Sequence, residues 1–169
     1  MRFVTAVALA AVMLWVPVDG VAQTQIGAFR YVPNIDAFDD TDRSLIAVFA
    51  DDPAEGLPML YWACMSDGLN VVLNFDQYYG GDSDDDILVR YRFDRTPASD
   101  QEYWRLLNSD SDAAYIRMNR VSTFSEQALM ASTVVMEATD PLDGESHRFT
   151  FSLDGLEAAS RKLPCWGPQ

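Results

Sequence analysis

Asp82, Asp84, Asp85 and Asp86 crowd a short segment behind Gly80 and Gly81, and an alternating run, Ile87-Leu88-Val89-Arg90-Tyr91-Arg92-Phe93, follows at once. Clustered carboxylates on a loop are the oxygen donors that calcium prefers. Spacing argues against an EF-hand. Numbered from Asp82, Asp84 and Asp86 take the third and fifth positions, but Ile87 stands where the turn needs glycine and Phe93 where the bidentate glutamate belongs. A count from Asn108 aligns Asp110 and Asp112 and fails in the same way at Ala113 and Asn119. Asp82, Asp84, Asp85 and Asp86 are therefore candidate ligands of a looser calcium loop, set against a plain solvated turn. No other cofactor is indicated.

Catalytic constellations are sparse. His147 is the single histidine. A serine or cysteine hydrolase needs such a base hydrogen-bonded both to a nucleophile and to an orienting acid. No GxSxG elbow marks a serine, and no HExxH or related spacing supplies zinc ligands. Two aspartates acting as acid and base on a glycan would need a cleft lined with aromatic rings, and Trp62, Trp104 and Trp166 sit among apolar neighbours that suit a core instead. The expectation is a protein without catalytic residues.

The start of the chain gives the compartment. Residues 1–22 join Arg2, an apolar run and small residues at Gly20 and Ala22, the pattern of a cleaved secretory signal peptide. That run is shorter than the roughly 20 residues a spanning helix needs. Residues 23–169 are then one secreted domain, periplasmic or extracellular, with no membrane span. In that setting Cys64 and Cys165 read as a disulfide, since neither a CxxC spacing nor other soft ligands accompany them. The net charge of −14 sets 26 acidic residues against 12 basic ones, which repels phosphate backbones and disfavours nucleic acid as a partner.

The elements that must hold these residues are mainly strands. Short alternating segments between turn signals cover residues 29–32, 44–49, 57–65, 69–75, 87–93, 113–118, 133–137 and 147–153. Ser66-Asp67-Gly68 joins the third and fourth as a tight hairpin. Ile87, Val89, Tyr91 and Phe93 should face the core, leaving Arg90 and Arg92 outside with nearby aspartates to offset their charge. Residues 100–112 suggest a short helix or turn. Thr123 and Glu126 have the spacing of a capping box for a helix containing Phe124, Ala128 and Leu129. Asp154 and Glu157 suggest the same for a final helix over residues 156–163, stopped by Pro164. The fold class predicted is one antiparallel β-sandwich or twisted sheet of about seven strands with one or two short helices.

The segments VRYRFD at residues 89–94 and FSLDGLEAASRKLPCW at residues 151–166, with Trp104 and the helix around Phe124 between them, resemble the C-terminal half of the VasI-like proteins associated with type VI secretion and of related secreted bacterial β proteins. The resemblance covers residues 57–166. It implies an exported β fold in which an early-strand cysteine and a C-terminal cysteine accompany the arginine-bearing strand, and it implies no active site. The function expected is a non-enzymatic accessory or interaction protein of the bacterial envelope with a protein partner. A calcium or small-ligand binding protein using residues 82–86 is the competing expectation.

Overall fold

The computed structural model describes residues 23–51, 56–76, 86–107 and 112–167. Ten strands lie within them: β1 (Thr24–Ile26), β2 (Phe29–Val32), β3 (Leu45–Phe49), β4 (Met59–Met65), β5 (Gly68–Asn74), β6 (Asp86–Phe93), β7 (Glu102–Leu106), β8 (Ala113–Tyr115), β9 (Thr133–Thr139) and β10 (Ser146–Ser152). Two helices, α1 (Met118–Leu129) and α2 (Leu156–Ser160), complete the described elements. The signal-peptide segment, residues 1–22, lies outside the described residues, as do Asp82, Asp84 and Asp85.

All ten strands join one antiparallel sheet in the order β1-β2-β3-β4-β5-β8-β7-β6-β9-β10. The mainly β class expected from the sequence is the class observed. The count among the described residues is ten strands, not about seven, chiefly because β1, only three residues long, and β7, whose apolar residues also fit helical spacing, pair as well. Residues 100–112 thus hold a strand where a helix or turn was expected. β7 pairs with β6 through Ile87 opposite Trp104, and with β8 through Leu106 opposite Ala114.

The sheet curls upon itself, and the Asp51 N–H donates to the Thr150 carbonyl at 2.7 Å, bringing β10 back beside the end of β3. Twist accumulates over so many strands until an open sheet rolls or splits. Residues directly opposite in an antiparallel pair share a face, so the register defines the inner surface. Ile46, Trp62 and Val71 make one row across it, and Val48, Leu60 and Leu73 the next. Tyr91 with Met136 and Phe93 with Val134 continue it on β6 and β9. These side chains form one buried apolar cluster with Phe29, Trp104, Phe149 and Phe151. Fully burying each such side chain contributes on the order of 1.5–3 kcal/mol.

Helix α1 carries the chain from β8 to β9 and packs against this inner surface. Val121, Phe124, Ser125 and Ala128, spaced to share one helical face, are its buried residues. Phe124 is fully buried, and its ring lies 4.9 Å from Tyr91, 5.2 Å from Phe93 and 6.0 Å from both Trp62 and Trp104. The Trp62 indole donates to Ser125 Oγ at 3.0 Å, which satisfies its buried N–H. The capping box expected at Thr123 is absent. α1 begins five residues earlier, and Arg117 at its N-cap makes no side-chain cap bond. Tertiary packing fixes this helix.

Two clamps close the structure. Cys64 on β4 and Cys165 beyond α2 form the expected disulfide, with Cα atoms 5.6 Å apart and a sequence separation of 101. Gly27 and Gly155, both at positive φ, meet back to back. A Cβ on Gly155 would lie 2.6 Å from the Ile26 carbonyl oxygen and 2.9 Å from the Gly27 Cα, so only glycine permits this approach. The Ala28 N–H donates to the Asp154 carbonyl at 2.9 Å in the same contact. Asp154 therefore contributes through its backbone, and Gly155 is the N-cap of α2 instead of the carboxylate expected there.

Candidate binding cleft

A cleft of about 470 Å³ opens between the loop joining β6 to β7 and one side of α1 with the residues that follow it. Its lining comes from three directions. Tyr91 and Phe93 of β6, only 5% and 6% exposed, form its floor, and Glu102 stands at the start of β7. Arg120, Gln127, Met130 and Ala131 form the helical wall, and Asp94, Thr96, Pro97, Ser99 and Asp100 the loop wall.

The loop is held to β6 by bonds that replace strand pairing. β7 pairs with β6 only as far as Val89 opposite Glu102, which would leave the Tyr91 backbone without a partner on that side. Ser99 supplies one: its Oγ accepts from the Tyr91 N–H at 3.0 Å, and its own N–H donates to the Tyr91 carbonyl at 2.8 Å. Buried backbone polar groups must be paired, so this serine fixes the position of the loop wall. Asp94 takes a positive φ of 45° to turn the chain out of β6. Its carboxylate accepts from the Thr133 N–H at 2.9 Å and the Ser132 N–H at 3.1 Å, tying the loop to the start of β9.

Charge in the cleft is organised around one ion pair. Arg120 donates to Glu102 at 2.7 Å. That hydrogen bond, with the Glu102 charge and the Tyr91 hydroxyl, holds the guanidinium pKa above its ordinary value. Burial, reinforced by the Glu102 charge and opposed by Arg120, raises the Tyr91 pKa, so the phenol stays protonated at neutral pH. Asp94, Asp100 and Glu102 against Arg120 leave the rim acidic. Met130, at 81% exposure, adds an accessible flexible apolar side chain beside it. The arrangement suits a ligand with an apolar body and a cationic end.

The residues singled out from the sequence fall elsewhere. Asp86, the one member of the acidic run within the described residues, begins β6 and is buried; its carboxylate lies 2.8 Å from Arg117 and 3.8 Å from Arg105. A cation there would meet two guanidinium groups. Among the described residues, no group of three His, Cys, Asp or Glu side chains is placed to hold a metal. His147 on β10 faces Glu145 at 3.0 Å and does not line the cleft. Trp62 and Trp104 are core residues, as expected.

The arginines of β6 find different partners from those expected. Arg90 pairs with Glu137, directly opposite on β9, rather than with an aspartate near it in sequence. Glu137 also accepts from Arg148 of β10 at 2.8 Å. The hydrogen bond from Arg148 is the main cause that lowers the Glu137 pKa, helped by Arg90 and opposed by burial. Among the described residues Arg92 makes no ion pair, and Val135 and Thr150 occupy the neighbouring positions in its row.

No protein-family profile and no curated protein matches the chain. Among solved structures it is similar to invasion associated protein B from Bartonella henselae, with a TM-score of 0.57 over 84% of this chain and 95% of that one, at 13% sequence identity. At that identity the likeness establishes a shared bacterial β fold and carries no residue roles across. The segments that resemble the VasI-like proteins lie on β6 and on β10 with α2, elements of the core and of the disulfide clamp.

Proposed function

We propose that this chain is a non-enzymatic exported interaction protein of the bacterial envelope, and that it holds a basic, partly apolar segment of a protein partner in the cleft between the β6–β7 loop and α1. The observation that carries the reading is the cleft itself: an apolar floor from Tyr91 and Phe93, an acidic rim, and an exposed Met130 at its edge. Its most strongly interacting polar groups, Glu102, Arg120 and Tyr91, engage one another, which suits a shaped surface better than a poised acid or base.

Three further points support it. The disulfide fits an oxidising compartment. No helix among the described residues is long and apolar enough to cross a membrane. A fold shared with an invasion-associated protein fits an accessory role at the bacterial surface. The resemblance to VasI-like proteins narrows that role to one associated with secretion.

A photo-crosslinker placed at Met130 in cells tests the proposal, with Leu142 as an exposed control position outside the cleft. The expected result is a discrete crosslinked protein from Met130 alone, lost when Asp100→Arg reverses the charge of the rim. Equal capture from both positions, or capture unchanged by D100R, would refute it.

A further inference from the structure

We infer that the outer face of β6, β9 and β10 carries a binding site for a small oxyanion, a phosphate monoester or a group of the same charge and shape, formed by Arg90, Arg92 and Arg148. Register assembles it. Arg90, Glu137 and Arg148 stand directly opposite one another on three adjacent strands, and Arg92 lies on the same face two residues along β6, roughly 7 Å from Arg90 at the backbone. With Ala98 and Val135 they line a depression of about 330 Å³.

Glu137 orients the site without filling it. Its Oε1 faces Arg90 and its Oε2 accepts from Arg148 at 2.8 Å, so the two guanidinium groups are held on either side of a single carboxylate. Each guanidinium carries five N–H donors in a planar fork. The pairs with Glu137 leave most of those donors facing solvent, and Arg90 and Arg148 stay 47% and 67% exposed. Three positive charges against one negative, in a concave site with spare forked donors, match the geometry of a tetrahedral oxyanion.

The surroundings make this concentration informative. The chain holds 26 acidic residues against 12 basic ones, so acids to neutralise Arg92 are abundant, yet its row offers Val135 and Thr150. The overall charge of −14 also selects the ligand. A polyanion would feel the repulsion of the whole surface, whereas one small anion within a Debye length of about 8 Å feels mainly the local arginines. The phosphate is carried either by a soluble molecule or by a lipid headgroup.

The test uses the full exported chain, labelled with ¹⁵N, and follows arginine Nε–H resonances during titration with inorganic phosphate against chloride at matched ionic strength. The expected result is saturable shifts of the Arg90, Arg92 and Arg148 signals, with about tenfold weaker binding in Arg92→Gln and Arg148→Gln, since one charge-assisted hydrogen bond is lost in each. R92Q removes no ion pair and should leave the melting temperature unchanged, separating loss of the site from loss of the fold. Shifts no larger than those from chloride, or phosphate binding undiminished in R92Q and R148Q, would overturn the inference. Sedimentation with phosphatidylcholine vesicles, with and without phosphatidic acid, distinguishes the sources. Binding that depends on phosphatidic acid and is lost in R92Q places the phosphate on a lipid; binding of inorganic phosphate alone places it on a soluble ligand.

Discussion

Replacing Phe124 with alanine should cost more than any other single truncation on α1, because its ring is fully buried and lies within 6.0 Å of Trp62, Tyr91, Phe93 and Trp104. Phe→Ala changes in cores cost about 3–5 kcal/mol, the spread reflecting how far the site collapses afterwards. Collapse is restricted here, since Trp62 and Trp104 project from strands paired on both sides, and Tyr91 and Phe93 from a strand paired with β9 on one side and held by Ser99 at Tyr91 on the other. The upper part of the range, about 4–5 kcal/mol, is therefore expected. At roughly 2–4 °C per kcal/mol for a chain of this size, the melting temperature should fall by about 8–20 °C. Urea unfolding followed by tryptophan emission measures the change directly, since Trp62 and Trp104 both border the void. Phe124→Leu keeps much of the volume and should cost only about 1–2 kcal/mol. A loss below about 1 kcal/mol in F124A, or equal losses in the two variants, would refute a helix held by this ring and with it the rigidity assumed for the cleft wall.

Removing the bridge with Cys64→Ser and Cys165→Ser should lower stability by about 4–5 kcal/mol by the chain-entropy model, read as a lower urea midpoint; a loss near zero would mean that the reduced unfolded chain stays compact. The pH dependence follows from Glu137. Its folded pKa is lowered, so its contribution is fully present above the unfolded value of about 4.3 and is lost as pH falls through the folded one. Glu137→Gln should accordingly flatten the fall in melting temperature below about pH 4.3, and an unchanged acid limb would assign that fall to other carboxylates. The calcium reading of residues 82–86 predicts a rise in melting temperature at millimolar calcium that is absent in a D82N/D84N variant. No shift in the wild type would end that reading. Asp86 is left intact in this test because its carboxylate already holds Arg117.

Strands with one buried face were legible because burial imposes a period of two. β6 has Ile87, Val89, Tyr91 and Phe93 buried with Arg90 and Arg92 exposed, the alternation read from the sequence. β7 was misread because Tyr103, Trp104, Leu106 and Leu107 also fit helical spacing. Only pairing with β6 on one side and β8 on the other decides for the strand. Helix starts failed for a related reason: hydroxyl and carboxylate spacing signals a cap only where the helix end is free to use it. At α1 packing sets the start, and at α2 the contact of Gly27 with Gly155 does. The disulfide was legible from cysteine number and compartment. The cleft was not, since its walls lie on β6, on the following loop and on α1, which meet only after the chain has crossed the sheet. The ion pairs show the same limit, because Glu137 reaches Arg90 and Arg148 through the register of three strands, not through nearness in sequence.

The bridge between Cys64 and Cys165 also fixes an order of events during biosynthesis. β5 to β10 and both helices lie between the two cysteines, whose sequence separation is 101. A chain that emerges N-terminus first therefore presents the Cys64 thiol long before its partner exists, and any disulfide formed in that time must be a wrong one, to be exchanged later. Oxidation thus records completion. A chain interrupted between residues 64 and 165 keeps an unpaired Cys64 thiol, which distinguishes it chemically from a finished molecule.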